Sequence, residues 1–178
     1  MRVIAGALGG RQFDSPGTFK THPMSDKARG ALFNMLGDID GLAFLDAFAG
    51  SGALAFEAIS RGAAHALLLE QDLAAQKTIA KNIAALGVAV QVKLVAASAG
   101  AWLQTSHDLF DVVLCDPPYI NLQQKLIARL AERVRPGGLL VLSWPGDGAE
   151  PAYAGFERIA QRSYGDMQLI FYRRNTEA

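Results

Sequence analysis

The chain has 178 residues, 51% of them hydrophobic and 19% charged, which is the size and composition of one globular domain with its own core rather than a disordered segment. Its 17 Lys and Arg balance 17 Asp and Glu, so overall charge gives no support to a nucleic-acid binder, a class that is often basic. No apolar run is long enough to cross a bilayer, and Met1-Arg2-Val3-Ile4-Ala5-Gly6 lacks the apolar stretch of a signal peptide. The single cysteine, Cys115, fits a reducing compartment and excludes an internal disulfide framework; with only His22, His65 and His107 beside it, a structural zinc site is disfavoured. The expectation is a metal-free, cytoplasmic monomer.

In chain order, residues 1–24 read as a short extended arm. Val3-Ile4-Ala5-Gly6 and Arg11-Gln12-Phe13 are placed to pair around Leu8-Gly9-Gly10, and Pro16-Gly17 and His22-Pro23 then break the chain. Ser25 is a good helix N-cap, Ala28, Ala31, Leu32, Met35 and Leu36 recur on one helical face, and Gly37 ends the helix. From Leu42 the rhythm becomes alternating strands and helices: strands over 43–48, 66–70, 90–95, 111–115 and 139–143, helices over 53–61, 73–86, 98–104 and 123–134. Arg61-Gly62, Leu86-Gly87 and Pro136-Gly137-Gly138 punctuate helix-to-strand transitions, and runs at 156–164 and 167–173 flank Gly165-Asp166 as a hairpin. Several strands are nearly all apolar, as in parallel sheets covered on both faces. The pattern is α/β: a doubly wound, mostly parallel Rossmann-like sheet with a C-terminal antiparallel hairpin. It forms a single domain over 1–178, with an arm and helix at 1–37 and a core at 42–178.

The first core strand runs into Asp46-Ala47-Phe48-Ala49-Gly50-Ser51-Gly52-Ala53-Leu54-Ala55. Gly50 and Gly52 let the backbone turn tightly and approach a ligand, and the following helix N-terminus offers N–H groups to an anion. Glu70 closes the second strand, where a carboxylate meets a ribose. Gly50-x-Gly52-x-x-Ala55 with Glu70 matches a dinucleotide fingerprint, but Asp46 argues against NAD, because a carboxylate before the loop repels a pyrophosphate. The same carboxylate welcomes the ammonium of S-adenosyl-L-methionine, whose carboxylate suits the loop N–H groups and whose ribose diol suits Glu70. Asp46, Phe48, Gly50, Ser51, Gly52 and Glu70 are the expected cofactor residues. Ser98, after the third strand, is placed to contact the adenine edge or else simply to start a helix.

Asp116-Pro117-Pro118-Tyr119 follows the apolar run Val112-Val113-Leu114-Cys115. Two prolines remove backbone donors and hold the chain extended. The Asp side chain, the backbone carbonyls and the Tyr ring then face one pocket, which suits a planar group bearing an amine. These four residues form the expected catalytic segment. Arg2, Arg11, Lys20, Lys27 and Arg29 cluster near the N-terminus against Asp14 and Asp26 and are candidate contacts to RNA phosphates, the alternative being a solvated face.

With Asp46, Gly50-Ser51-Gly52, Glu70 and Asp116-Pro117-Pro118-Tyr119 in order, the chain resembles the class I S-adenosylmethionine-dependent amino-methyltransferases. Met1-Arg2-Val3-Ile4-Ala5-Gly6, Gly10-Arg11 and the stretch from Pro23 to Leu36 narrow the resemblance to the RsmD family, which methylates N2 of a guanine in 16S ribosomal RNA. The resemblance covers nearly the whole chain. It implies S-adenosyl-L-methionine as cofactor, ribosomal RNA or a small-subunit particle as partner, and a part for the N-terminal region in closing the site or touching RNA. Three positions depart from the family pattern: His22 and Met24 stand where Arg and Thr are usual, and Gly30 where Glu is usual. Tyr119 stands where Phe is commoner. Rival readings are an adenine-N6 or protein-glutamine amino-methyltransferase, a cofactor-binding RNA module without catalysis, and an NAD-dependent oxidoreductase.

Overall fold

The computed structural model describes residues 1–17 and 24–176. Seven strands form one sheet: β1 (Ala43–Asp46), β2 (His65–Glu70), β3 (Val92–Ala96), β4 (Phe110–Cys115), β5 (Val134–Pro145), β6 (Phe156–Tyr164) and β7 (Met167–Arg174), in the order β3-β2-β1-β4-β5-β7-β6. The first five run parallel and β7 pairs antiparallel with both β5 and β6. The doubly wound fold with a terminal hairpin is the architecture expected from sequence. The strand order reverses between β1 and β4, so the crevice where such sheets bind ligands opens at the C-terminal ends of these two strands.

Helices α1 (Asp26–Leu36), α2 (Ala53–Ser60) and α3 (Leu73–Leu86) cover one face; α4 (Ala99–Trp102) and α5 (Gln124–Ala131) cover the other. The local chemistry explains the ends. Ser25, Asp72 and Ser98 cap α1, α3 and α4 by accepting from Ala28, Ala75 and Ala101 N–H, and Gly87 closes α3 in the left-handed conformation. Strand alternation sends Phe44, Leu68, Leu114 and Val141 into the core under α1–α3, and Leu45, Leu67, Val113 and Leu142 into the core under α4 and α5.

Several boundaries differ from the sequence reading: the helix expected over 123–134 ends at Ala131, with Val134 already in β5, the helix expected over 98–104 is Ala99–Trp102, and the strand expected over 43–48 ends at Asp46. Val90 is fully exposed in a turn, and β3 starts two residues later. Pro136-Gly137-Gly138 does not precede β5 but lies inside it: partners jump from Phe110–Val134 to Val112–Leu139, so the extra residues bulge out while pairing continues. The N-terminal arm is a tight loop with a single Arg2–Gln12 bridge, reinforced by Val3 N–H to Arg11 O and Phe13 N–H to Met1 O. The expected break at His22-Pro23 lies outside the described residues.

The arm is held to α2 by a buried carboxylate. Glu57 accepts from the backbone N–H of Ile4 (2.8 Å) and Ala5 (3.1 Å) and from Arg61 Nε (2.7 Å), with Arg29 Nε 3.9 Å away. Gly6 passes so close to the end of α2 that a Cβ there would lie 1.8 Å from the Ser60 carbonyl oxygen, and its φ of +81° favours glycine as well.

Candidate functional site

The crevice is built from the ends of four parallel strands. Asp46 ends β1, Glu70 ends β2, Asp116 directly follows β4, and Ser143 lies near the end of β5. The in-register pairs Asp46–Leu68, Asp46–Leu114 and Cys115–Leu142 bring these positions side by side. Alternation along the strands turns them toward the α1–α3 face.

Asp46 is 1% exposed, and neither carboxylate oxygen has a hydrogen-bond partner among the described residues. Its pKa is raised to about 7, first by burial, then by the Asp116 charge and more weakly by Glu70; the nearby Phe48 amide opposes the rise without reaching hydrogen-bond geometry. A buried acid without a donor is costly, and such groups collect at functional sites. Glu70 is not idle: its two oxygens accept from Gly50 N–H (2.8 Å) and Asp72 N–H (2.7 Å), tying the glycine loop to the start of α3. Each oxygen keeps a second lone pair for a ligand hydroxyl.

The glycine loop turns at Gly50 (φ +54°) and Gly52 (φ +79°). Their roles differ. A Cβ on Gly52 would strike the Phe56 ring at 2.8 Å, so this residue is needed for packing against α2, whereas space lies open beside Gly50. Ser51 is buried in the loop, and Phe48 is half-buried against the α4–α5 side. The N–H groups of the first turn of α2 have no intrahelical acceptor. A buried carboxylate, an open glycine backbone and a helix start thus converge, a donor and acceptor set that fits an amino-acid moiety joined to a nucleoside. Ser98 uses its hydroxyl as the α4 cap, accepting from Ala101 N–H at 3.2 Å, the helix-start alternative of the two open to it.

Burial raises the pKa of Asp116 and the Ser143 hydroxyl opposes that rise. Pro117 is buried and Pro118 half-buried. Tyr119 and Ile120 form the corner of a turn closed by Asn121 N–H to Pro118 O. The Tyr119 ring is 37% exposed, and its hydroxyl lies 2.6 Å from Ser143 Oγ. Ser143, 2% exposed, was legible in sequence only as the end of an apolar strand. Cys115 is buried, and burial with the Asp46 and Asp116 charges holds its thiol protonated, which makes it a packing residue. Among the described residues no three metal-ligating side chains come together.

The basic residues expected on the RNA side separate into different roles. Arg29 is corrected: it is 1% exposed, donating to Arg2 O and Asp26 Oδ1, both at 2.8 Å, beside Glu57. Helical spacing places it on the inner side of α1 with Leu32 and Phe33, so it braces the arm and has no path to a phosphate. The Arg11 guanidinium is turned onto the last carbonyls of α3, Leu86 O and Ala85 O. Arg2 is exposed and paired with Asp26 at 3.1 Å, and Lys27 is exposed. Lys20 lies outside the described residues.

Fold and strand-end acids together define the class I methyltransferase architecture. Several solved structures share it: yhhF of Escherichia coli superposes with a TM-score of 0.90, at 30% identity over 99% of each chain. A hypothetical protein of Thermus thermophilus gives 0.83 at 30% identity over 96% of this chain and 98% of the other. The family model described as conserved hypothetical protein 95 matches residues 1–173, and the chain belongs to that family, the RsmD family. Its relatives include ribosomal RNA small subunit methyltransferase D of Haemophilus influenzae, 34% identical over 79% of this chain and 76% of the relative. The Escherichia coli protein of the same name is 38% identical over 67% of this chain and 60% of the relative.

Proposed function

We propose that this protein methylates the exocyclic N2 amine of a guanine in 16S ribosomal RNA, using S-adenosyl-L-methionine. One observation carries the reading: a buried, unpartnered Asp46 carboxylate lies at the strand end next to Asp116, beside a glycine loop. Asp46 pairs with the ammonium of the cofactor, the loop and the first turn of α2 receive its carboxylate, and Glu70 receives its ribose diol. Bound S-adenosyl-L-methionine supplies an already activated sulfonium methyl, so the protein provides orientation and charge complementarity rather than a covalent nucleophile.

The guanine amine is a poor nucleophile because its lone pair is delocalised into the ring. The Asp116 carboxylate and the Pro117 carbonyl accept its two N–H bonds, which aligns the nitrogen and favours the positive charge that grows on it; Asp116 is also the acceptor for the proton the nitrogen sheds. Among the described residues no backbone N–H donates to the Pro117 carbonyl. The exposed face of Tyr119 stacks on the base, which must leave its helix to reach the strand ends. Residues 1–37 act as an RNA-facing extension of the core, with the exposed Arg2 and Lys27 as its phosphate contacts. A cytoplasmic location is part of this reading and is supported by the ribosomal RNA substrate; no helix among the described residues is long and apolar enough to cross a membrane.

The test is transfer of labelled methyl to 16S RNA and to assembled small-subunit particles, followed by mapping of modified guanines. Asp116→Ala should keep S-adenosylhomocysteine affinity and lose most transfer. Label on an adenine or on protein would overturn the substrate, and unchanged turnover in the variant would remove Asp116 from the mechanism.

A further inference from the structure

From Pro117 to Leu122 the chain has left the sheet, and two of its residues have no N–H to give. The segment closes on itself through Asn121 N–H to Pro118 O. At its far end Gln123 begins α5 with φ +45°, a strained conformation for a non-glycine residue, its carbonyl accepting from Leu126 and Ile127 N–H. Among the described residues, one hydrogen bond joins this segment to the rest of the protein: Tyr119 Oη to Ser143 Oγ, 2.6 Å. Ser143 lies in β5 next to the strand that carries Asp116, and it is buried to 2% exposure. A buried hydroxyl is retained only when it is bonded.

Resting on the amine-methylation reading, we propose that Ser143 is a positioning residue that latches the Tyr119 hydroxyl and, through it, fixes the ring and the Asp116 carboxyl relative to each other. Each hydroxyl carries one proton. When Tyr119 donates to Ser143, the ring is tied to β5, the strand paired with β4, which Asp116 directly follows. The latch therefore orients the stacking ring and holds it in place against the strand ends where Asp116 lies. Phenylalanine at 119 could stack but could not latch.

The test uses the full chain with Tyr119→Phe, Ser143→Ala, Ser143→Thr and the Tyr119→Phe/Ser143→Ala pair. Each of the first two should lower kcat on RNA about tenfold, the scale of one net hydrogen bond, with S-adenosylhomocysteine affinity unchanged. The pair should lose no more than the worse single change, because both remove one interaction. Ser143→Thr, which keeps the hydroxyl, should recover turnover. Wild-type turnover in either single variant, or losses that multiply in the pair, overturns the proposal. Amide exchange at Asn121, the one amide of the segment with a backbone acceptor, gives a second readout, expected to quicken about tenfold in both single variants as the segment opens locally. If the wild-type protein modifies no RNA, the functional reading fails, and unchanged exchange at the Asn121 amide would then refute the latch on its own.

Discussion

Asp46 gives this protein a stability that should depend on pH in an uncommon direction. The carboxyl is 1% exposed with both oxygens unpartnered, and its pKa is raised from 3.8 to about 7 by burial and by the facing Asp116 and Glu70 charges. The folded protein thus holds this proton more tightly than the unfolded chain. Its stabilising effect is complete below about pH 4, and it is lost as pH rises through about 7. A rise of this size corresponds to roughly 4 kcal/mol, at about 1.36 kcal/mol for each pKa unit. Asp46→Asn replaces the titrating acid with a neutral group of the same shape. Its burial cost does not vary with pH, and the neighbouring Asp116 titration largely cancels in the comparison. Urea unfolding of the cofactor-free wild type and variant at pH 5, 6, 7 and 8 should show the variant gaining on the wild type by about 2–3 kcal/mol, most of it between pH 5 and 7. S-adenosylhomocysteine should reverse the preference of the site: its ammonium favours the ionised acid, so wild-type affinity should tighten as pH rises through about 7, and the variant should bind weakly with little pH dependence. A stability gap that stays constant with pH would refute the account of Asp46.

Two further changes test the arm. Glu57→Ala deprives Ile4 and Ala5 N–H, Arg61 and the buried Arg29 of one carboxylate; the expected loss is about 3–5 kcal/mol in urea unfolding, as for other buried charges left unpaired, and a loss under about 1 kcal/mol would show that the arm is held by other contacts. Gly30→Ala should do the opposite. A Cβ at Gly30 would meet only the Ile4 side chain, at 3.7 Å and 3.9 Å, so the helix gain of about 1 kcal/mol should appear as a higher urea midpoint.

The division between sequence and structure follows the range of the forces involved. Hydrophobic period, capping residues and turn chemistry act within a few residues. They were enough to place most elements, the glycine loop at Gly50 and Gly52, and carboxylates at three strand ends, Asp46, Glu70 and Asp116. Where the local signal misled, a partner strand was responsible: Pro136-Gly137-Gly138 reads as a boundary, yet β4 pairs with Val134 before it and Leu139 after it and holds it inside β5 as a bulge. Arg29 reads as one of five N-terminal cations, and only the packing of α1 onto α2 buries it beside Glu57, 28 residues along the chain.

By itself, then, the sequence determined the class of fold and located the glycine loop and the Asp116–Tyr119 segment, because each is written in contiguous residues. The tertiary structure alone decided that Asp46 has no donor among the described residues, that Glu57 and Arg29 brace the arm, and that Ser143 meets Tyr119. Those facts depend on the register of β1, β4 and β5 and on how helices seat on the sheet, contacts between residues distant in sequence that no local pattern encodes.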